Sequence, residues 1–382
     1  MSENQFTNKK IIPLAKPYFD AAELAAVKQV LDSGWAAGQG PRGRELAQKI
    51  KAITNRGYAI PVNNCTAALH LSLLAIGIEP GDEVLVSDYT YPATGHAVMY
   101  CGAKPVFVDV SLDTYNILPG LIEKKITGKT KALVINHAFG LMCDMDEIVD
   151  ITRGHNLKLI EDAACALGAC YKERPAGSYG DLAAFSFHAR KNVTSGEGGM
   201  VVTDSEEYAA RIDSLSCFGI ESAYKRQDEF SIPVFRALGY NYKLSDINAA
   251  VALAQLRKYP RVLEKRSRLA ALYNRELANV EFVTPPLAEE GYFHIYQTYA
   301  GLLAEGIDRD RLILALRRDG IQTQIGTFAS HVQPVYKSKD KCPNSYELFN
   351  RSLALPLYYE MEEEQVYFVV RQLNRRIKEL NA

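Results

Sequence analysis

The chain has 382 residues, of which 47% are apolar and 23% charged, and its formal charge is −1. That length buries a sizeable core and suits a large α/β domain with a smaller one beside it, while the composition is that of a folded protein and argues against disorder. A near-neutral balance offers no bulk attraction to nucleic acid or anionic lipid, so any anionic ligand must be met by local design.

The opening stretch MSENQFTNKKIIPLAKP lacks the apolar core of a secretion signal. No segment reaches the roughly 18 apolar residues of a membrane span. A cytoplasmic protein that engages neither membrane nor nucleic acid is therefore expected. Seven cysteines, at 65, 101, 143, 165, 170, 217 and 342, are scattered and never spaced C-x-x-C. They read as reduced thiols, with no disulfide and no metal site expected.

From the N-terminus onward, short β-branched runs alternate with helical patterns. AIPVNN (59–64) reads as a strand and TAALHLSLLAIGI (66–78) as the helix that follows it. DEVLVS (82–87), KPVFVDV (104–110), KALVINH (131–137), LKLIEDA (157–163), AAFSFH (183–188) and GMVVTD (199–204) read as further strands. Such alternation predicts a mainly parallel sheet covered by helices, with ligands at the carboxyl ends of the strands. After about residue 240 the pattern changes. Ile247, Ala250, Val251 and Ala254 share a helical face, and the helix is expected to run to about Ala278. HIYQTYAGLLA (294–304) reads as a strand, DRDRLILALRRDG (308–320) as a helix and QVYFVVRQLNRRI (365–377) as a terminal helix. Two domains are expected, 1–255 and 256–382, packed without a flexible linker.

Four features carry chemistry. In FSFHARKNVTSGEGG (185–199), Lys191 stands between a strand end and a glycine cluster. A lysine there is either a solvated surface charge or an amine able to bond a carbonyl carbon. LIEDAACALGA (159–169) ends a buried strand in Glu161 and Asp162. A carboxylate there either caps a helix beginning at Ala163 or pairs with a buried cation such as a protonated ring nitrogen. At NNCTAALHL (63–71) a strand runs into a helix. The unpaired N–H groups there, with the Thr66 hydroxyl, can hold a phosphate, or Asn64 or Thr66 simply caps the helix. In SDYTYPAT (87–94), Tyr91 follows a strand end, where it is either a core residue or a ring that stacks on a planar cofactor. A phosphate cradle, an aromatic face, a carboxylate for a pyridinium and an amine for an aldehyde together describe the site of pyridoxal phosphate.

With IPLAKPYFDAAELAAVKQVLDSGWAAGQGP, GAKPVFVDV, GYNYKLSDINAAVALAQL and LALPLYY added to those blocks, nearly the whole chain resembles the DegT/DnrJ/EryC1/StrS sugar aminotransferases. The resemblance implies fold type I architecture, as in aspartate aminotransferase, with a mainly parallel seven-stranded sheet in the large domain and a smaller α/β C-terminal domain. It implies that Lys191 holds pyridoxal 5'-phosphate covalently, that Asp162 bonds the ring nitrogen and that Tyr91 stacks on the ring. It further implies that Cys65, Thr66, Ala67 and Ser186 form the phosphate end. Asn241, in the GYN motif, would reach the phosphate of a second subunit, so a homodimer with shared active sites is expected. Cys165 stands where relatives often carry Gln or His against the ring hydroxyl, and a thiol is a weak hydrogen-bond partner. HAFGLMCDMDEI (137–148) and GTFASHVQPVY (326–336) also depart from the usual pattern. They point to an unusual sugar, with Thr327 and His331 as candidate substrate contacts.

The reaction implied is transfer of an amino group from L-glutamate to a keto- or aldehydo-sugar, nucleotide-activated, in amino-sugar synthesis for a surface polysaccharide or glycoconjugate. The alternatives are a free or acidic keto-sugar acceptor, a sugar dehydratase on the same fold, and a non-catalytic paralogue. Some dehydratases replace the lysine with histidine, and a non-catalytic paralogue would not need both Lys191 and Asp162.

Overall fold

The computed structural model describes residues 11–220, 232–287 and 290–381. The reading of the N-terminus as free of a signal falls partly on residues 1–10, outside the described residues. Seven strands form the main sheet: β1 (Tyr58–Val62), β2 (Glu83–Ser87), β3 (Lys104–Val108), β4 (Thr130–Asn136), β5 (Lys158–Asp162), β6 (Leu182–Ser186) and β7 (Gly199–Thr203). Their spatial order is β1-β7-β6-β5-β4-β2-β3. β7 runs antiparallel to both of its neighbours, and the other pairings are parallel. The seven strand runs legible in the sequence are these seven strands, with ends moved by a residue or two.

Side chains alternate along each strand, so successive residues enter opposite layers. Leu85, Leu133, Leu159, Ala183, Phe185 and Met200 join one core. Val84, Val86, Val134, Ile160, Leu182, Ala184 and Val201 join the other. Both faces are covered, which is why these strands read as nearly continuous apolar runs.

On the Ile160 face lie α3 (Cys65–Ala75) and α4 (Ala93–Tyr100), which follow α1 (Ala21–Ser33) and α2 (Pro41–Thr54) in the chain. α3 is buried almost all round, as expected of a helix without a polar stripe. Asn64 caps it, accepting the Ala67 N–H at 2.8 Å.

Further on come α5 (Met145–Gly154), α6 (Glu206–Ser216) and the long α7 (Asp246–Leu277). On α7, Ala250 and Ala254 are buried while Ile247 and Val251 are half-buried. The first half of α7 packs Ala249, Leu253 and Tyr259 into the main core, and its second half packs Leu269, Tyr273 and Leu277 into another. That second core surrounds an antiparallel sheet of order β8-β9-β11-β10, from β8 (Val283–Thr284), β9 (Tyr299–Leu303), β10 (Gln324–Ile325) and β11 (Ser352–Leu355). It is flanked by α8 (Arg309–Arg318) and α10 (Glu363–Asn381), with α9 (Pro343–Arg351) leading into β11.

The expected strand 294–304 forms only from Tyr299. Its first half instead bonds the loop after β4, with Ile295 N–H on Gly140 O at 3.2 Å and Gln297 N–H on Phe139 O at 2.8 Å. Tyr296, at φ 45°, breaks the extended run. No helix among the described residues is long and apolar enough to cross a membrane.

Candidate active site

β6 and β7 form a hairpin whose loop, 187–198, opens at the carboxyl end of β6. The Phe187 N–H closes its base on Gly198 O at 2.8 Å, and the Lys191 N–H bonds His188 O at 2.9 Å. The loop therefore holds Lys191 above the end of β5. Here the Lys191 ammonium Nζ donates to Cys165 Sγ at 3.0 Å. Burial pushes the Lys191 ammonium down, but Cys165, Cys65 and Asp162 outweigh it and hold the amine above its ordinary value.

The two carboxylates that end β5 are separated by strand alternation. Glu161 enters the Leu159 layer, where it accepts the N–H groups of Gly177, Tyr179 and Gly180 at 2.7, 2.8 and 2.7 Å. His137 donates to it through Nε2 at 3.0 Å, since its Nδ1 accepts the Cys143 N–H at 3.2 Å. Burial raises Glu161, yet His137 and these N–H groups bring its carboxyl below the ordinary range.

Asp162 enters the Ile160 layer, under α4. Its Oδ2 accepts the Thr94 hydroxyl at 2.7 Å and its Oδ1 the Ala164 N–H at 3.2 Å. Burial dominates, and the Asp162 carboxyl lies above its ordinary range despite Thr94, Ala164 and Lys191. The helix considered at Ala163 does not form: residues 163–169 are successive turns. The Ala164 N–H is part of a turn, and Asp162 is left with a carboxylate whose burial lacks full compensation.

The amino end of α3 completes the cluster. β1 pairs with β7 so that Val62 faces Gly199, and a Cβ on Gly199 would stand 2.6 Å from the Asn64 carbonyl carbon. Glycine there lets the helix start abut the hairpin. Because Asn64 takes the Ala67 N–H, the phosphate contact expected from Ala67 is already engaged. The N–H groups of Cys65 and Thr66 have no acceptor among the described residues. Burial, with Asp162 as second cause, pushes the Cys65 thiol well up. Ser186 continues the Asp162 face and accepts the His188 N–H at 3.3 Å.

Tyr91 is 68% exposed, with its ring edge-on to Phe328 at 6.0 Å, which rules out the core-tyrosine reading. Phe328 pairs with Thr90 and Ala329 with Tyr89. His331 gives its backbone N–H to Asp88 Oδ1 and its Nδ1–H to Asp88 Oδ2, both at 2.6 Å. Asp88 holds the His331 imidazole above its ordinary value. Thr327 donates its N–H to Tyr89 Oη at 3.2 Å. Phe139, from the other divergent loop, meets Tyr89 edge-on at 6.2 Å. Both departures from the family pattern thus converge on Tyr89. Cys342 joins Asp88 and His331 in a group whose ligand-capable atoms lie within 4.8 Å of one another. Its shortest contact is the Asp88–His331 hydrogen bond.

Asn241 stands apart: it is exposed, and its Oδ1 accepts from Lys243 Nζ at 2.5 Å. Sequence reasoning missed Thr94. It is buried by contact with Asp162, and its only local signal is its place three residues after Tyr91.

An amine-bearing hairpin, an incompletely compensated buried carboxylate and a helix start with free N–H groups, all at the carboxyl edge of this sheet, define a fold type I aminotransferase. The chain belongs to the DegT/DnrJ/EryC1/StrS aminotransferase family, which matches residues 17–374. MJ1066 of Methanocaldococcus jannaschii, an uncharacterized protein, is 36% identical over 97% of this chain and 99% of its own length. Spr1654 of Streptococcus pneumoniae in its PLP-form superposes with a TM-score of 0.90 at 28% identity, over 97% of this chain and 100% of that one. DesI in the presence of its TDP-sugar product gives 0.89 at 30%, over 98% and 95%. The protein is a pyridoxal-phosphate-dependent sugar aminotransferase. Its donor set fits that cofactor: a primary amine for the aldehyde, a carboxylate short of a cation for the ring nitrogen, and unused N–H groups for the phosphate.

Proposed function

We propose that the protein transfers the amino group of L-glutamate to a nucleotide-linked keto- or aldehydo-sugar, in amino-sugar synthesis for a surface polysaccharide or glycoconjugate. It works in the cytoplasm as a homodimer with shared sites. The observation that carries this reading is Lys191 and Asp162 converging over the ends of β5 and β6. The TDP-sugar product of DesI supports a nucleotide-linked acceptor. The absence of disulfides among the seven cysteines accords with a reducing compartment.

In this reading Lys191 and Asp162 hold the cofactor at its aldehyde carbon and ring nitrogen. Cys65, Thr66 and Ser186 lie at its phosphate end, Ala67 contributes only through its place in the capped turn, and Tyr91 covers the ring. Cys165 sits beside the amine. The bound cofactor supplies an electron sink. Lys191 Nζ is the base that takes a proton from the amino-bearing carbon and returns it nearby, which requires a free amine. Asp162 stays ionised because a ring cation supplies the charge its burial lacks, and its fixed Oδ2 keeps that charge in register. Thr327 and His331 line the acceptor side.

The test follows the visible spectrum of the loaded protein on adding L-glutamate, then TDP-linked and free keto-sugars. Loss of the lysine-bound band with glutamate and its return only with a nucleotide-linked sugar is expected. Return with free sugars alone would favour the unactivated acceptor, and no response to glutamate would reject the donor.

A further inference from the structure

We propose that Cys165 and Lys191 are a modification site, joined by a reversible sulfur–nitrogen bond when the cofactor-free protein meets a peroxide. The inference starts from Lys191 Nζ and Cys165 Sγ, 3.0 Å apart. Each is half-buried, within reach of a small oxidant. Separate backbone turns hold them: the hairpin loop fixes Lys191, and the turns Ala166 N–H to Ala163 O and Ala169 N–H to Ala166 O, both at 2.9 Å, fix the segment bearing Cys165. The pairing of β5 with β6, which sets Asp162 opposite Ala184, keeps the two segments side by side.

The chemistry balances. The attacking species is a thiolate, and the adjacent amine is placed to take the thiol proton. Sulfur bonds to one peroxide oxygen, the O–O bond breaks, and the departing hydroxide takes the proton held by the Lys191 ammonium and leaves as water, so the amine is left neutral. The sulfur is oxidised by two electrons to a sulfenic acid, and the peroxide is reduced. The neutral Lys191 nitrogen then attacks that sulfur. The N–S bond forms, the S–O bond breaks, and the hydroxyl leaves as water with one nitrogen-bound proton. The linked pair is lighter by two hydrogens than the thiol and amine. An external thiolate that attacks the sulfur releases the amine and, through a mixed disulfide, restores the thiol. While linked, Lys191 has no free amine. That consequence rests on the reading of Lys191 as cofactor anchor, whereas the bond itself does not.

The test uses the full chain, stripped of or loaded with pyridoxal phosphate, exposed to hydrogen peroxide and mapped by peptide mass. In the stripped protein the Cys165 and Lys191 peptides should appear joined, two hydrogens lighter than their sum, and separate on adding dithiothreitol. Cys165→Ser should lose the joined species; mapping the unsubstituted chain keeps the test valid if that variant misfolds. Cys165 found joined to Cys65, carrying two or three oxygens beside a free Lys191, or unchanged would overturn the proposal. Loading with cofactor should suppress the joined species. Equal cross-linking in the loaded protein would keep the modification and remove Lys191 as the anchor.

Discussion

Glu161 and Asp162 are neighbours in sequence with opposite electrostatic fates. Glu161 meets three N–H groups and an imidazole, so its charge is balanced inside the chain. Asp162 receives one hydroxyl and one N–H besides the nearby Lys191 charge, so its balance stays incomplete, which suits the proposed ring cation. Lys191→Ala should therefore fold yet lose the lysine-bound absorbance and all steady-state transamination. Retained turnover would reject Lys191 as the anchor. Thr94→Val deletes a hydrogen bond to a charged group, worth about 1.5 kcal/mol. Cofactor affinity should fall about tenfold, as read by fluorescence titration, and an unchanged affinity would show that Thr94 does not support Asp162 in the loaded protein.

The hairpin, the start of α3 and the strand at 328–329 each deliver groups that their own sequence cannot orient. At Gly199, an added Cβ meets backbone at 2.6 Å, so Gly199→Ala must displace the amino end of α3. We expect a loss of about 1–3 kcal/mol in stability, the usual cost of overpacking, together with weaker cofactor binding. A crystal structure with Asn64 unmoved would contradict that. The 328–331 segment is tied down by the His331–Asp88 pair. Because the folded pKa of His331 is raised, this stabilisation is fully present below the unfolded value of about 6.5 and is lost as pH rises through the folded value. The stability advantage of the unsubstituted protein over Asp88→Asn should shrink across that window. An advantage that grows with pH would mean His331 is neutral in the fold.

α7 passes through both cores, and its buried Arg266 bonds the carbonyls of Tyr296, Gln297 and Leu357. Burial lowers that guanidinium to about 10. The smaller sheet is thus tied to the segment that bonds the loop after β4. Among the described residues Asn241 has no tie to the Lys191 cluster, in keeping with its proposed reach to a second subunit. Mixed dimers carrying Asn241→Ala on one chain and Lys191→Ala on the other should report the geometry. Activity confined to the arrangement in which an intact Lys191 faces an intact partner Asn241 is expected, whereas loss confined to a chain's own site would refute sharing.

The sequence by itself determined the sheet and, through the resemblance, pointed to Lys191 and Asp162. Strands buried on both faces must be continuous apolar runs, and a charge such as Asp162 at the end of one is costly enough to stand out. The Lys191–glycine segment alone read equally as a solvated charge, and it became legible only because Asp162, Tyr91 and the start of α3 together with it describe one cofactor. The structure adds the physical reason that Glu161 and Asp162 differ, since a one-residue step along a strand exchanges the two layers. Tertiary structure decided that Asn64 caps α3 through the Ala67 N–H, that residues 294–298 leave the strand to bond Phe139 and Gly140, and that Thr94 meets Asp162. Each of these is a contact between segments distant in the chain, set by packing and register, and local pattern carries no record of such partners.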